Sequence, residues 1–144
     1  MPAPTREMRN PDARVTPQGA RLLLVHENFQ QRAYHHALLR SLNCRVTACA
    51  TYDEGLRLLA EEPWELVIVS QGTAAFEGRS VLERAIELNR FTPVLILTRW
   101  HDMVSYLTAM HLGAADYLEE PLGPSEMARV ITSHIRPHAV SAGR

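Results

Sequence analysis

Three short, uninterrupted apolar runs constrain this chain most: Leu22-Leu23-Leu24-Val25, Leu66-Val67-Ile68-Val69 and Val94-Leu95-Ile96-Leu97. Four apolar residues in a row, with no polar alternation, read as strands covered on both faces, the situation in the middle of a parallel sheet. A fourth run, Cys44 to Cys49 (CRVTAC), alternates and fits a sheet edge, and Asp116-Tyr117-Leu118 is a weaker fifth. Between them lie stretches of helical length. Phe29 to Leu42 has apolar residues at 34, 37, 38 and 42; Asp53 to Glu62 opens on an acidic cap and carries Leu56, Leu59 and Ala60. Arg79 to Arg90 groups Leu82, Ala85 and Ile86. Asp102 to Leu112 is expected to bury Met103, Leu107 and Met110, with Gly113 closing it. Pro124 to Ile135 begins with proline at a helix start and buries Met127, Val130, Ile131 and Ile135.

Strand and helix thus alternate five times with short connections. That order predicts one α/β domain over residues 21–136: a five-stranded parallel sheet with helices on both faces, joined by right-handed crossovers. Residues 1–20 and 137–144 carry proline and glycine without apolar periodicity and are expected to be flexible tails. In such a sheet the site lies beyond the carboxyl ends of the strands. Here those ends read His26-Glu27-Asn28, Ser70-Gln71-Gly72, Thr98-Arg99-Trp100 and Glu119-Glu120-Pro121.

Composition narrows the chemistry. Among 144 residues the net charge is −1, so no broad basic surface for nucleic acid is expected. All 15 cations are arginine, which excludes any mechanism that needs a lysine ammonium. No apolar run nears the roughly 18 residues of a membrane helix, and no secretory leader pattern opens the chain, so a cytoplasmic location is expected. Cys44 and Cys49, five apart in one extended strand, would lie about 16 Å apart. A disulfide needs Cα atoms within about 7 Å, so both are read as free thiols. Neither GxGxxG nor GxxxxGK[ST] occurs, and there is no serine elbow or usefully spaced Cys-His pair. The first loop, His-Glu-Asn-Phe-Gln-Gln, lacks the hydroxyls and glycine that a flavodoxin-type phosphate cradle requires. The chain reads as a binding protein, not an enzyme.

Three segments carry a resemblance. Leu22-Leu-Leu-Val25 leads into His26-Glu27; Pro93-Val-Leu-Ile-Leu-Thr98 ends on a hydroxyl; Gly113-Ala-Ala-Asp-Tyr-Leu-Glu-Glu-Pro121 keeps the spacing of glycine, aromatic and proline. Over about residues 21–136 the chain resembles the receiver domains of two-component response regulators. The resemblance implies a CheY-like, flavodoxin-type sheet of strand order 2-1-3-4-5. It also implies an acidic Mg²⁺-binding pair after strand one, an aspartate phosphorylated at the end of strand three, and a lysine before the last-loop proline. At those places this sequence has His26-Glu27, Ser70 and Glu120, while Thr98 and the switch-like aromatic Tyr117 remain. A serine hydroxyl forms no acyl phosphate and is a poor partner for a hard cation. Glu120 would repel a phosphoryl group. The expectation is a degenerate pseudo-receiver without a cofactor, Mg²⁺ binding of the receiver type not being expected. It would act as a phosphorylation-independent interaction module; the alternatives are a pocket that binds a divalent metal or small ligand, or phosphorylation by an unusual route.

Each residue also has a plainer role. Ser70 would fill a small polar space, Thr98 would be a satisfied hydroxyl, Tyr117 would pack on the fourth helix, and Trp64 would lid the lower edge of the sheet. His35, His36, His111 and His134 are expected in solvent. His26 and Glu120 exchange the signs found in the family, so they are expected to converge as a pair; with Glu27 they form an alternative Zn²⁺ or Mn²⁺ ligand set. Trp100, with Val104 and Tyr106 off the expected core stripe, suggests a contact surface on the face of helix four, strand five and helix five. The partner would be a sensor kinase, an output protein or a second copy of the chain.

Overall fold

The computed structural model describes residues 19–135. Five strands and five helices alternate: β1 (Arg21–Val25), α1 (Phe29–Ser41), β2 (Arg45–Cys49), α2 (Tyr52–Glu61), β3 (Leu66–Ser70), α3 (Arg79–Leu88), β4 (Val94–Thr98), α4 (Met103–Leu112), β5 (Asp116–Glu119) and α5 (Pro124–His134). The strands form one parallel sheet in the order β2-β1-β3-β4-β5. The expected tails lie outside the described residues except for Gly19 and Ala20. Those two belong to the body: Gly19 N donates to Asn43 O and Ala20 is fully buried.

The uninterrupted runs are the three central strands, and they are covered on both faces. Alternate residues feed two cores. Leu23, Val25, Val67, Val69, Val94 and Ile96 meet α2, α3 and α4 on one side, while Leu22, Leu24, Leu66, Ile68, Leu95 and Leu97 meet α1 and α5 on the other. At the lower edge Trp64 is buried, donates from its indole to Leu58 O and lies under the Arg21 guanidinium. Cys44 and Cys49 are free and buried, and burial pushes both thiols up to about 11.

Local rules explain where helices start, and correct two expectations. The cap of α2 is Thr51, not an acidic residue. Thr51-Tyr-Asp-Glu54 has the spacing of a capping box, and Thr51 Oγ1 accepts from Glu54 N at 3.1 Å. On α1 the buried stripe is His35, Leu38 and Leu39, with Ala37 outside. The stripe is rotated because both nitrogens of His35 find backbone partners inside.

The largest correction concerns α4. Its core side is Ser105 and Ala109, with Tyr106 and Leu112 half-buried against the same core. Met103, Leu107 and Met110, the expected stripe, face solvent at 60%, 57% and 37% exposure. Tyr117 on β5 occupies the space a leucine would have taken, its ring centroid 5.5 Å from that of Tyr106. Small residues let the helix close over it.

Candidate functional site

The carboxyl ends of β1, β3, β4 and β5 are held at one level by the ladder. Val25 pairs with Val69, Ser70 with Leu97 and Thr98 with Glu119. Beyond the last pairs, Gln71 N donates to Leu97 O and Glu120 N to Thr98 O, which brings the loop residues into one cluster. The cluster lies at the switch point of the 2-1-3 order. Gly78, at the start of α3, lets the helix approach: a Cβ there would strike the Ser70 carbonyl.

One half of the cluster is buried. His26 Nε2 lies 2.8 Å from Glu120 Oε1, with side chains 1% and 2% exposed. Asn28 N, which only donates, reaches His26 Nδ1 at 3.1 Å. Nδ1 therefore keeps its lone pair, the ring proton sits on Nε2, and the neutral imidazole donates to the carboxylate. Asn28 also caps α1, its Oδ1 accepting from Gln31 N, and Arg32 donates to His26 O. His35 stacks on His26 with ring centroids 6.5 Å apart and planes 12° from parallel. The expectation of a solvated His35 is thus corrected: it is wholly buried. His36 and His134 are half-buried, while His111 is exposed as read.

The other half is built from hydroxyls. Ser70 Oγ donates to Glu27 Oε1 at 2.5 Å, and the Tyr52 hydroxyl lies 3.0 Å from the same oxygen and 2.8 Å from Ser70 Oγ. Partial burial alone would raise the Glu27 pKa, but hydrogen bonds from Ser70, its own backbone and Tyr52 hold the carboxyl below its ordinary value. Burial, and then Glu27, push the Tyr52 phenol upward, so it stays a donor. Ser70 is buried and bonds the half-exposed Glu27 carboxylate. Tyr52 was not legible from the strand ends, because it arrives from α2.

The expected metal set does not converge on a point. Glu120 lies on the Nε2 side of the His26 ring and Glu27 on the Nδ1 side, at 3.6 Å, so no single ion reaches both carboxylates and one ring nitrogen. Among the described residues no three His, Cys, Asp or Glu side chains form a metal-ligating group.

A third group links the cluster to α4. Tyr117 is buried, and its hydroxyl donates to Gln71 Oε1 at 2.5 Å while accepting from Asp102 N at 3.3 Å. Asp102 caps α4 and also binds Ser105 Oγ. Thr98, also buried, donates to Trp100 O at 2.7 Å and so is spent within its own loop. Gln71 was not legible in the sequence as a site residue; only the fold shows that residue 71 faces Tyr117. Of the expected contact residues, Trp100 and Val104 are open to solvent at 75% and 74%. Tyr106 is not: it packs on Tyr117 and His101.

Residues 22–132 match the response regulator receiver domain family. The transcriptional regulatory protein ZraR of Escherichia coli is 29% identical over 101 residues, 70% of this chain and 23% of that protein. The two-component response regulator ARR14 of Arabidopsis thaliana is 25% identical over 126 residues, 86% of this chain and 33% of that one. The chain therefore spans a third or less of the length of these relatives. Among solved structures, the receiver domain of a sensor histidine kinase from Pseudomonas aeruginosa, with magnesium coordinated in its active-site cleft, superposes with a TM-score of 0.72 at 24% identity, covering 81% of this chain and 97% of that one. No helix among the described residues is long and apolar enough to cross a membrane. By its sheet order and by this match over most of its length, the chain belongs to the response regulator receiver domain family.

Proposed function

We propose that this receiver domain signals through protein contact, without phosphorylation at position 70 and without the Mg²⁺ of its family. Ser70 carries the reading. It stands where the resemblance puts the acceptor aspartate, and its hydroxyl is bonded to Glu27 and Tyr52. A hard divalent cation favours several oxygen ligands, most of them carboxylate or carbonyl. Here the Oε1 of half-exposed Glu27 takes two hydroxyl contacts, the nearby Glu77 carboxylate is bonded to Thr73, and both His26 nitrogens are turned to other partners. Where the family places a lysine, Glu120 sits as a buried carboxylate bonded to His26. Repulsion between that carboxylate and an incoming phosphoryl group works against transfer. Incubation with acetyl phosphate or phosphoramidate and Mg²⁺, followed by intact mass spectrometry, is expected to leave the mass unchanged. A phosphate mapped to residues 65–72 overturns the reading.

The contact surface is α4 with the loop before it. Trp100, Met103, Val104, Leu107 and Met110 are all exposed apolar side chains on one helix and the loop before it, and a cluster of that kind marks a contact surface. The partner classes are a sensor kinase, an output protein or a second copy, the last through an isologous contact. Because Tyr106 is packed inward, the variant that tests the surface is Leu107→Glu. Sedimentation of the parent is expected to show concentration-dependent association that the variant loses. Monomeric profiles for both remove the second copy from the partner classes.

A further inference from the structure

The backbone of Leu122, in the connection between β5 and α5, is held from α1 by two consecutive side chains. The Tyr34 hydroxyl donates to Leu122 O at 2.6 Å, and Leu122 N donates to His35 Nε2 at 3.2 Å. His35 Nδ1 lies 2.8 Å from Gln31 O. A carbonyl oxygen only accepts and an amide nitrogen only donates, so these two neighbours fix the ring: the proton is on Nδ1 and the lone pair on Nε2. His35 is neutral, in the tautomer opposite to that of His26, and has no free nitrogen.

We propose that His35 is an acid-sensitive fastener: a second proton on its ring unhooks Leu122 and loosens the connection that seats α5. The proton has one place to go, Nε2. There it removes the acceptor for Leu122 N–H and leaves two N–H groups facing each other. His35 and Leu122 are both fully buried, so water replaces the lost bond at neither. Leu122 lies in the same core as Met127, Val130 and Ile131 of α5, so its release reaches that helix.

Three titratable groups face the ring from the elements around it: Glu120 at the end of β5, His26 at the end of β1 and Tyr34, edge-on at 4.9 Å, on α1 itself. Burial lowers the His35 pKa, while Gln31 O and Glu120 act in the opposite direction without overcoming it. The unfolded chain therefore binds this proton more readily than the folded one. The contribution to stability is full above the unfolded value of 6.5 and drains as pH falls from there through the folded one.

Amide hydrogen exchange on the full chain, at about pH 7.5 and about pH 5.5, reads the device directly. The Leu122 protection factor is expected to fall by about tenfold or more on acidification, beyond any change at Val67 and Ile68 of β3. His35→Gln keeps an acceptor for Leu122 and does not titrate, so its Leu122 protection is expected to be equal at both pH values. His36→Gln should behave as the parent. Leu122 protection that merely follows β3, or a Gln variant that loses it like the parent, overturns the proposal. Should the variant fail to fold, ¹⁵N imidazole spectra of the parent decide alone. A His35 Nε2 that stays an unprotonated acceptor at the lower pH, with Leu122 still protected, overturns it equally.

Discussion

α3 and α4 are both ten residues long and lie side by side on one face of the sheet, yet they meet solvent with opposite chemistry. α3 buries Val81, Leu82 and Ala85 and turns Arg79, Glu83, Arg84 and Glu87 outward, paired as Arg79–Glu83 and Arg84–Glu87. α4 has no aspartate, glutamate or arginine; it buries Ser105 and Ala109 and turns four large apolar side chains out. The difference teaches what decides the inner face of a helix. α3 crosses open sheet and must fill space with branched side chains. α4 lies over Tyr117, whose ring already fills the space, so small residues go inside and the large ones are left for something else to cover.

The strongest test of this contrast is truncation of one leucine on each helix. Leu82→Ala opens a cavity in a fully closed core and is expected to cost about 2–5 kcal/mol in urea unfolding. Leu107→Ala removes an exposed side chain and should stay within about 0.5 kcal/mol. Equal costs would mean that α4 is seated differently from the arrangement described.

Enlargement should reverse the order. Ser105→Leu forces volume between α4 and the sheet and loses the hydroxyl bond to Asp102; the expected cost is about 1–3 kcal/mol, read from the same unfolding curves. The same substitution at Ser80, an exposed position on α3, should change little.

How much of this was legible follows from what marks the outside of each element. The three central strands were legible because four apolar residues in a row have one economical home. The inner side of α3 was legible for Leu82 and Ala85, opposite a charged outer side, though Val81 is buried in place of Ile86, which is half-buried. α4 carries no such marker, and apolar periodicity alone chose the wrong stripe: Met103, Leu107 and Met110 have helical spacing on either side of the axis. His35 failed for a related reason, since its burial depends on Leu122 N, 87 residues away. At the site, His26, Glu27, Ser70 and Glu120 were read from strand ends, and the resemblance paired the first with the last, which do meet. Tyr52 and Gln71 were not, because one comes from a helix and the other was read only as the residue after Ser70.

Gln71 gives the next, smaller effect. Gln71→Leu leaves the buried Tyr117 hydroxyl without its acceptor, though Asp102 N still donates to it. The expected loss is about 1–2 kcal/mol, with the largest amide shifts at the start of α4. Tyr117→Phe in the same background should add little, because it removes the orphaned hydroxyl and with it only the long 3.3 Å contact from Asp102 N. Additive losses would mean that Gln71 and Tyr117 act separately.

The smallest effect isolates the charges that set α3 apart. Arg79 and Glu83 sit one turn apart at 2.9 Å, with side chains 51% and 42% exposed, so the pair is screened and its removal by Arg79→Ala should cost about 0.3–0.5 kcal/mol. Arg79 has a second feature: its side chain helps line the groove shared with Leu107, Met110 and Leu112 of α4. The aliphatic stem of an arginine covers apolar surface even where its charge contributes little. Arg79→Met keeps the stem and drops the charge, so the two contributions separate. If the ion pair is the whole effect, Met and Ala variants lose the same amount and both losses vanish near 1 M salt, where screening acts within about 3 Å. If Met restores most of the loss at every salt concentration, the stem is what matters, and α3 already covers one flank of the apolar face of α4.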